Sequence, residues 1–304
     1  MTANLIMTDV KPDPKLDNEF GRPLQAEHYL KYRPTYPDEF LKEILTFPIE
    51  KMKALSKDGK LTAIDLACGS GQLTNKLLGY FDKIVAVDFC EAQLVNAAKA
   101  FPDEIAAKRI TFLKFDCSKV DELLELPEVK ELDPKFVFVG EAFHWFKYDD
   151  LLTRFKKATV GRSVYFVPIS YWTFTIDNAQ PAHETAIMDF VHKVNPFFKF
   201  DRASLENEYR EFDFTRYFDR VYFQRYHAPV PRLPTKHFLG YLSTWSAYRN
   251  YLEKHGEAPE VDPLLHLGQQ LGLKGGKDYE AMTVSEGGCE TLTYKNRFFA
   301  YVLL

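Results

Sequence analysis

Three acids stand at the ends of three apolar runs: Asp65 in Leu61–Leu66, Asp88 after Lys83–Val87, and Asp116 after Ile110–Phe115. Taken singly, such an acid can merely open a loop or cap a helix, because its carboxylate accepts from nearby backbone N–H groups. Three in succession, brought to one edge of a sheet, would ring a single crevice with negative charge. Between the first two lies Gly69-Ser70-Gly71. Without a Cβ, the glycines let the chain turn at positive φ and bring backbone amides up to a ligand, and the helix that follows aims its N-terminal amides at the same place. Asp88 comes 23 residues after Asp65, about where a ribose-binding carboxylate falls in a mononucleotide-binding βαβ unit. The pattern predicts a cofactor that carries a nucleoside.

Two kinds of cofactor use such a loop, and two residues discriminate between them. A dinucleotide fingerprint places a third glycine three residues after the second, for close helix packing beside the pyrophosphate. Thr74 stands there. A pyrophosphate also gains nothing from an acid ahead of the first glycine, where Asp65 is found. A carboxylate at that point suits a cationic ligand, such as an ammonium group with a neighbouring sulfonium, through an attraction that strengthens as water is excluded.

Asp65-Leu66-Ala67-Cys68-Gly69-Ser70-Gly71, Asp88 and Asp116 resemble the cofactor motifs of class I S-adenosylmethionine-dependent methyltransferases. Tyr32-Arg33-Pro34-Thr35-Tyr36-Pro37, Glu141-Ala142-Phe143-His144-Trp145-Phe146 and the segment Tyr241–Tyr248 look like the type 11 branch that contains trans-aconitate methyltransferase-like proteins. The resemblance spans roughly residues 28–304. It implies S-adenosyl-L-methionine as cofactor, with Asp65, Ala67 and the Gly69 and Gly71 backbone at the methionine end. It further implies Asp88 on the ribose, Asp116 on the adenine amino group and the Cys117 backbone N–H on the adenine ring. Tyr32 and Arg33 would close over the cofactor, Arg33 as a partner for its carboxylate. Without the resemblance, Tyr32–Pro37 reads as a proline-stiffened turn.

Methyl transfer from a sulfonium is an in-line displacement, so the protein mainly aligns the acceptor. A small-molecule carboxylate is already a nucleophile at neutral pH and needs no general base, and a water-poor pocket helps a step in which opposite charges neutralise. Aromatic walls suit that work, since rings exclude water and their faces favour a cation. The candidates are Trp145, Trp172, Trp245, Tyr171 and Tyr248, each of which could equally be core packing. His144 follows the fourth apolar run and could serve as a base toward a hydroxyl or amine, or be a packed, hydrogen-bonded ring. Glu141 is open among base, cofactor contact and loop residue. The other histidines show no metal-ligand spacing, and no metal is expected.

The elements that must position these residues alternate. Strands are expected over 61–66, 83–88, 110–115, 135–140 and 162–168, with helices over 71–80, 91–100, 119–125 and 148–158. That rhythm predicts an α/β fold with a Rossmann-like seven-stranded sheet, helices on both faces and all parallel strand ends at one edge. Beyond Pro168 the rhythm breaks, with a helix over 182–194, a strand over 219–226, a long helix over 235–255 and a closing strand within 291–304. The two late strands are expected to pair antiparallel. Residues 28–40, 172–215 and 233–290 would form a helical cap, with a helix over 38–47 capped by Asp38, and residues 1–27 a loosely ordered arm.

At 304 residues, 27% charged and net charge −4, the chain offers no cationic field for nucleic acid. No apolar run is long enough to span a membrane, no leader is apparent, and a cytoplasmic protein, monomer or homodimer, is expected. Cys68, Cys90, Cys117 and Cys289 form no C-x-x-C pair and read as reduced thiols. The competing functions are a non-catalytic adaptor that retains the fold and an NAD-linked oxidoreductase, the latter opposed by Asp65 and Thr74.

Overall fold

Short apolar runs rich in β-branched and aromatic residues become strands in the computed structural model, which describes residues 5–7, 28, 31–56, 58–176, 180–228, 232–256, 258 and 260–304. The strands of the main sheet are β1 (Leu5–Met7), β2 (Thr62–Leu66), β3 (Lys83–Asp88), β4 (Ile110–Lys114), β5 (Phe136–Gly140), β6 (Tyr165–Ile176), β7 (Val221–Ala228) and β8 (Tyr294–Leu303). Their order is β1-β4-β3-β2-β5-β6-β8-β7. β1 to β6 run parallel, and β8 lies antiparallel between β6 and β7, with Arg297 opposite Trp172 on one side and His227 on the other. The expected antiparallel pairing of the two late strands is present. β2 is buried along its whole length, as a strand covered by helices on both faces must be.

The chain moves from β2 outward through β3 to β4 and then returns to place β5 on the other side of β2. The strand order therefore reverses between β2 and β5, and the crevice outside their carboxyl ends is where α/β sheets bind ligands. Helices Gln72–Leu77, Glu91–Ala100 and Val120–Glu125 make the first crossovers, and Tyr148–Ala158 joins β5 to β6. A further group of helices, Pro181–Val194, Thr235–Ser243, Ser246–His255 and Pro263–Gln270, packs together beyond this sheet unit.

Four expectations change. Leu5–Met7, within the expected arm, adds an eighth strand on the open edge of β4, where its backbone groups find ladder partners. The rest of residues 1–27 lies outside the described residues. The helix expected over 38–47 runs from Asp38 to Leu55 through Pro48, and Asp38 sits in its first turn, its carboxylate taken by Lys76 at 2.7 Å. β6 continues past Pro168 to Ile176, and beyond Ile169 its ladder partner is β8. The single helix expected over 235–255 is broken: Ser243 and Thr244 turn their hydroxyls back onto the carbonyls of Gly240 and Tyr241, and Trp245 is extended at φ −70°, ψ 131°. Hydroxyls that bond their own turn compete with helix continuation.

Candidate active site

A cavity of about 570 Å³ lies at the carboxyl ends of β2 to β5. The loop that floors it is held at positive φ through Ala67 (+59°), Gly69 (+53°) and Gly71 (+86°). A Cβ on Gly71 would come within 2.8 Å of the Phe101 ring, so both dihedral and space require glycine there. The two glycine amides point elsewhere than expected. Gly69 N–H donates to Asp88 Oδ2 at 2.8 Å and Gly71 N–H to the Cys68 carbonyl at 3.0 Å. Gly71 stays outside the cavity wall, and the glycines shape the loop and fix Asp88, whose other oxygen accepts from Cys90 N–H at 2.8 Å.

Asp65 is wholly buried at the cavity wall. Thr74, the residue standing where a dinucleotide fingerprint has glycine, donates its hydroxyl to Asp65 Oδ2 at 2.6 Å. Oδ1 has no hydrogen-bond partner among the described residues. Burial pushes the Asp65 carboxyl up to about 7, the Thr74 hydrogen bond works against that, and the nearby charge of Asp88 adds to it. A buried, half-satisfied acid is costly unless something comes to meet it. A cationic group at the cavity wall would do so, and the cavity volume suits a nucleoside-bearing molecule. The residues present fit the expected cofactor.

Asp116 and Cys117 line the same cavity; one Asp116 oxygen is tied to the Ser118 N–H and hydroxyl, and burial pushes the Cys117 thiol up, keeping it neutral. Glu141 follows β5 at φ +51°, a strained conformation for a side-chain-bearing residue. Its Oε2 accepts Tyr171 N–H at 2.9 Å, and burial raises its carboxyl to about 7, opposed by the charge of Arg33 and the Tyr171 bond.

Glu141 and Trp145 are walls of this cavity and also of a second, small one of about 40 Å³. Trp172, Trp245, His144 and Arg33 face the second cavity. The Trp172 and Trp245 rings lie 5.8 Å apart, with the Arg202 guanidinium 4.5 Å over Trp172. Arg33 donates through Nε to Thr244 Oγ1 at 2.7 Å, through Nη1 to the Tyr171 hydroxyl at 3.1 Å and through Nη2 to the Thr244 carbonyl at 3.2 Å, with Glu141 Oε1 3.8 Å from Nη1. Arg33 thus borders the second cavity instead of the first. Tyr32 borders neither: its hydroxyl donates to Glu280, and its ring lies so close over Gly240 that a Cβ there would sit 2.5 Å away. Tyr171 borders neither cavity and supports the site through its hydroxyl on Arg33 and its N–H on Glu141, and Tyr248 packs on Phe190 and bonds Asp262.

His144 is buried with Nδ1 3.0 Å from the Tyr209 hydroxyl, which lies 3.0 Å from Ser170 Oγ. Burial first, and the Arg33 charge second, hold its pKa down at about 3, so the ring is neutral. Sequence reasoning reached Asp65, Asp88, Asp116, Cys117, Glu141, His144 and the three tryptophans as residues bordering these cavities. It missed Thr74 as the Asp65 partner, Thr244 as the Arg33 acceptor, and the Ser170–Tyr209 pair, none of which carries a local pattern.

Residues 64–159 match the family described as Methyltransferase domain. A Dictyostelium discoideum protein provisionally named a methyltransferase is 25% identical over 266 residues, 85% of this chain and 89% of that one. The Saccharomyces cerevisiae protein CRG1, provisionally named an S-adenosylmethionine-dependent methyltransferase, is 23% identical over 176 residues, which are 58% of this chain and 52% of that one. A solved structure from Anaeromyxobacter dehalogenans, provisionally described as a type II methyltransferase, shares the fold at a TM-score of 0.56 and 22% identity, covering 90% of this chain and 98% of that one. The methyltransferase domain over residues 64–159 and these similarities support S-adenosylmethionine-dependent methyltransferase activity. The protein is an enzyme, and S-adenosylmethionine is its cofactor.

Proposed function

We propose that the enzyme methylates an oxygen of a small-molecule acceptor, foremost a carboxylate, received in the second cavity. The observation that carries this is the shared wall: Glu141 and Trp145 belong to both cavities, and the smaller one combines Arg33 with Trp172 and Trp245. When bound, the cofactor supplies a methyl group on positively charged sulfur. The chain's own residues do the rest. Asp65 Oδ1 meets the ammonium end, Asp88 the ribose hydroxyls, Asp116 the adenine amino group, and the Cys117 N–H the adenine ring. Arg33 is assigned to the acceptor's charge, because its fork faces the second cavity. The aromatic walls exclude water from a step that neutralises charge.

The described residues within 28–40, 172–215 and 233–290 form the cap over the strand ends in this reading, and Tyr32 pins the entry segment to it through Glu280. An acceptor like that of the trans-aconitate methyltransferase-like branch agrees with the Arg33 cavity. Among the described residues no helix is long and apolar enough to cross a membrane, and we place the enzyme in the cytoplasm.

Two measurements test the reading. Calorimetry should show S-adenosylmethionine and S-adenosylhomocysteine binding and no binding of NAD; the reverse result ends it. Incubation with methyl-labelled cofactor and a metabolite extract should yield label that mild alkali releases as methanol, the signature of a methyl ester. Label that resists alkali would move the acceptor to a hydroxyl or amine.

A further inference from the structure

We infer that His144 meets the acceptor as a fixed N–H donor, with Ser170 and Tyr209 as the positioning residues that hold it in that form. The inference deepens the function proposed above, since it takes the second cavity as the acceptor's. Ser170 is wholly buried, and the Tyr209 hydroxyl is its hydrogen-bond partner among the described residues. A buried hydroxyl with one such partner donates to it, because accepting would strand its own proton away from water. The Tyr209 oxygen, also wholly buried, then receives the Ser170 proton, and its own proton goes to the remaining side-chain neighbour, His144 Nδ1. A neutral imidazole that accepts at Nδ1 carries its proton on Nε2. With Nδ1 turned into the core, Nε2 is the polar ring atom left for the cavity that His144 lines.

The charged groups that line the same cavity as the ring are Arg33 and Glu141, with Arg202 over the Trp172 ring; Tyr209 meets it at Nδ1. Burial, and after it the Arg33 charge, opposes a second proton on His144. The ring therefore presents neither a cation nor a lone pair. A hydroxyl or amine acceptor must release a proton during transfer, and this ring cannot take it. An acceptor carboxylate gives an oxygen electron pair to the methyl carbon as the C–S bond breaks toward sulfur, and no proton leaves. Its second oxygen can accept from Nε2–H while Arg33 balances its charge. The pairing selects an acceptor that arrives as an anion.

The test is a long-range ¹⁵N–¹H spectrum of the full chain labelled in histidine, with the His144 signals assigned by their loss in His144→Asn. The expected result is a neutral Nε2–H ring that does not titrate between about pH 5 and about pH 8. Tyr209→Phe, which keeps the ring packing, should convert the fixed tautomer into a mixture, and Ser170→Ala should shift the His144 Nδ1 signal. A proton found on Nδ1 in the unaltered protein, or titration inside that window, overturns the inference. The unaltered protein decides even if a variant fails to fold. S-adenosylhomocysteine binding, measured on the same sample, separates the outcomes: its loss sinks the proposed function, whereas a wrong tautomer sinks only the role of His144.

Discussion

At the scale of the residue, Asp65 is the group with the most at stake. Its folded pKa of about 7 lies above the ordinary 3.8, so the ligand-free fold holds the proton more tightly than the unfolded chain does. That contribution to stability is present below 3.8 and is lost as pH rises through about 7. Binding has the opposite sign, because a cationic ligand prefers the ionised acid. Cofactor affinity should therefore strengthen from pH 6 to pH 8, by roughly tenfold per unit below the pKa if one proton is coupled. Calorimetry in buffers of different ionisation heat should register proton release; a flat profile would remove Asp65 from the ammonium. Asp88 has a double duty. Asp88→Ala should weaken cofactor binding by about tenfold or more, and should also lower stability by about 3 kcal/mol, since two amides lose a charged acceptor. Unchanged affinity in calorimetry would place the ribose elsewhere.

At the scale of the element, two junctions matter. The loop after β2 tolerates no side chain at Gly71, where a Cβ meets Phe101 and φ is +86°. Gly71→Ala should cost about 1–3 kcal/mol from the left-handed backbone alone, read by chemical denaturation. A neutral outcome would show that the loop relaxes away from Phe101. The second junction is the break between Thr235–Ser243 and Ser246–His255, which offers Arg33 both the hydroxyl and the carbonyl of Thr244. An ammonium cannot reproduce that fork. Arg33→Lys should leave S-adenosylhomocysteine affinity within about twofold while hydrogen exchange across 235–255 rises, because local opening follows the loss of cross-segment bonds. A large loss of cofactor affinity would return Arg33 to the cofactor's carboxylate, as the resemblance implied.

At the scale of the whole molecule, the crevice exists because strand order reverses between β2 and β5, and the helices beyond β6 pack as a group of their own. Anything that binds the folded state alone stabilises it by mass action. S-adenosylhomocysteine at a hundred times its Kd should add about 2.7 kcal/mol and raise the melting temperature by several degrees, and NAD at the same concentration should leave it unchanged. At one fixed ligand concentration the shift should be larger at pH 8 than at pH 6, because Kd falls as Asp65 ionises. Equal shifts at both values would uncouple the acid from binding.

The sequence by itself determined the strand and helix rhythm, the glycine loop and the acids at the strand ends, because each is a local pattern over a few residues in which periodicity, backbone freedom and chain order suffice. β3 and the helices Glu91–Ala100 and Tyr148–Ala158 fall where their patterns place them. Three residues are too few to show a period, so Leu5–Met7 was invisible until β4 offered an edge. Only the tertiary structure decided who meets whom in the second cavity. Arg33, the segment that carries Glu141 and His144, Trp172 and Trp245 come from separate parts of the chain. The same is true of Ser170 and Tyr209, whose bond to each other and to His144 depends on which hydroxyls are buried together. Tyr32 and Arg33 are neighbours in sequence, yet one turns to Glu280 and the other to Thr244. Side-chain direction at such a segment follows from the partners that long-range packing brings within a hydrogen bond's reach, and no local spacing encodes them.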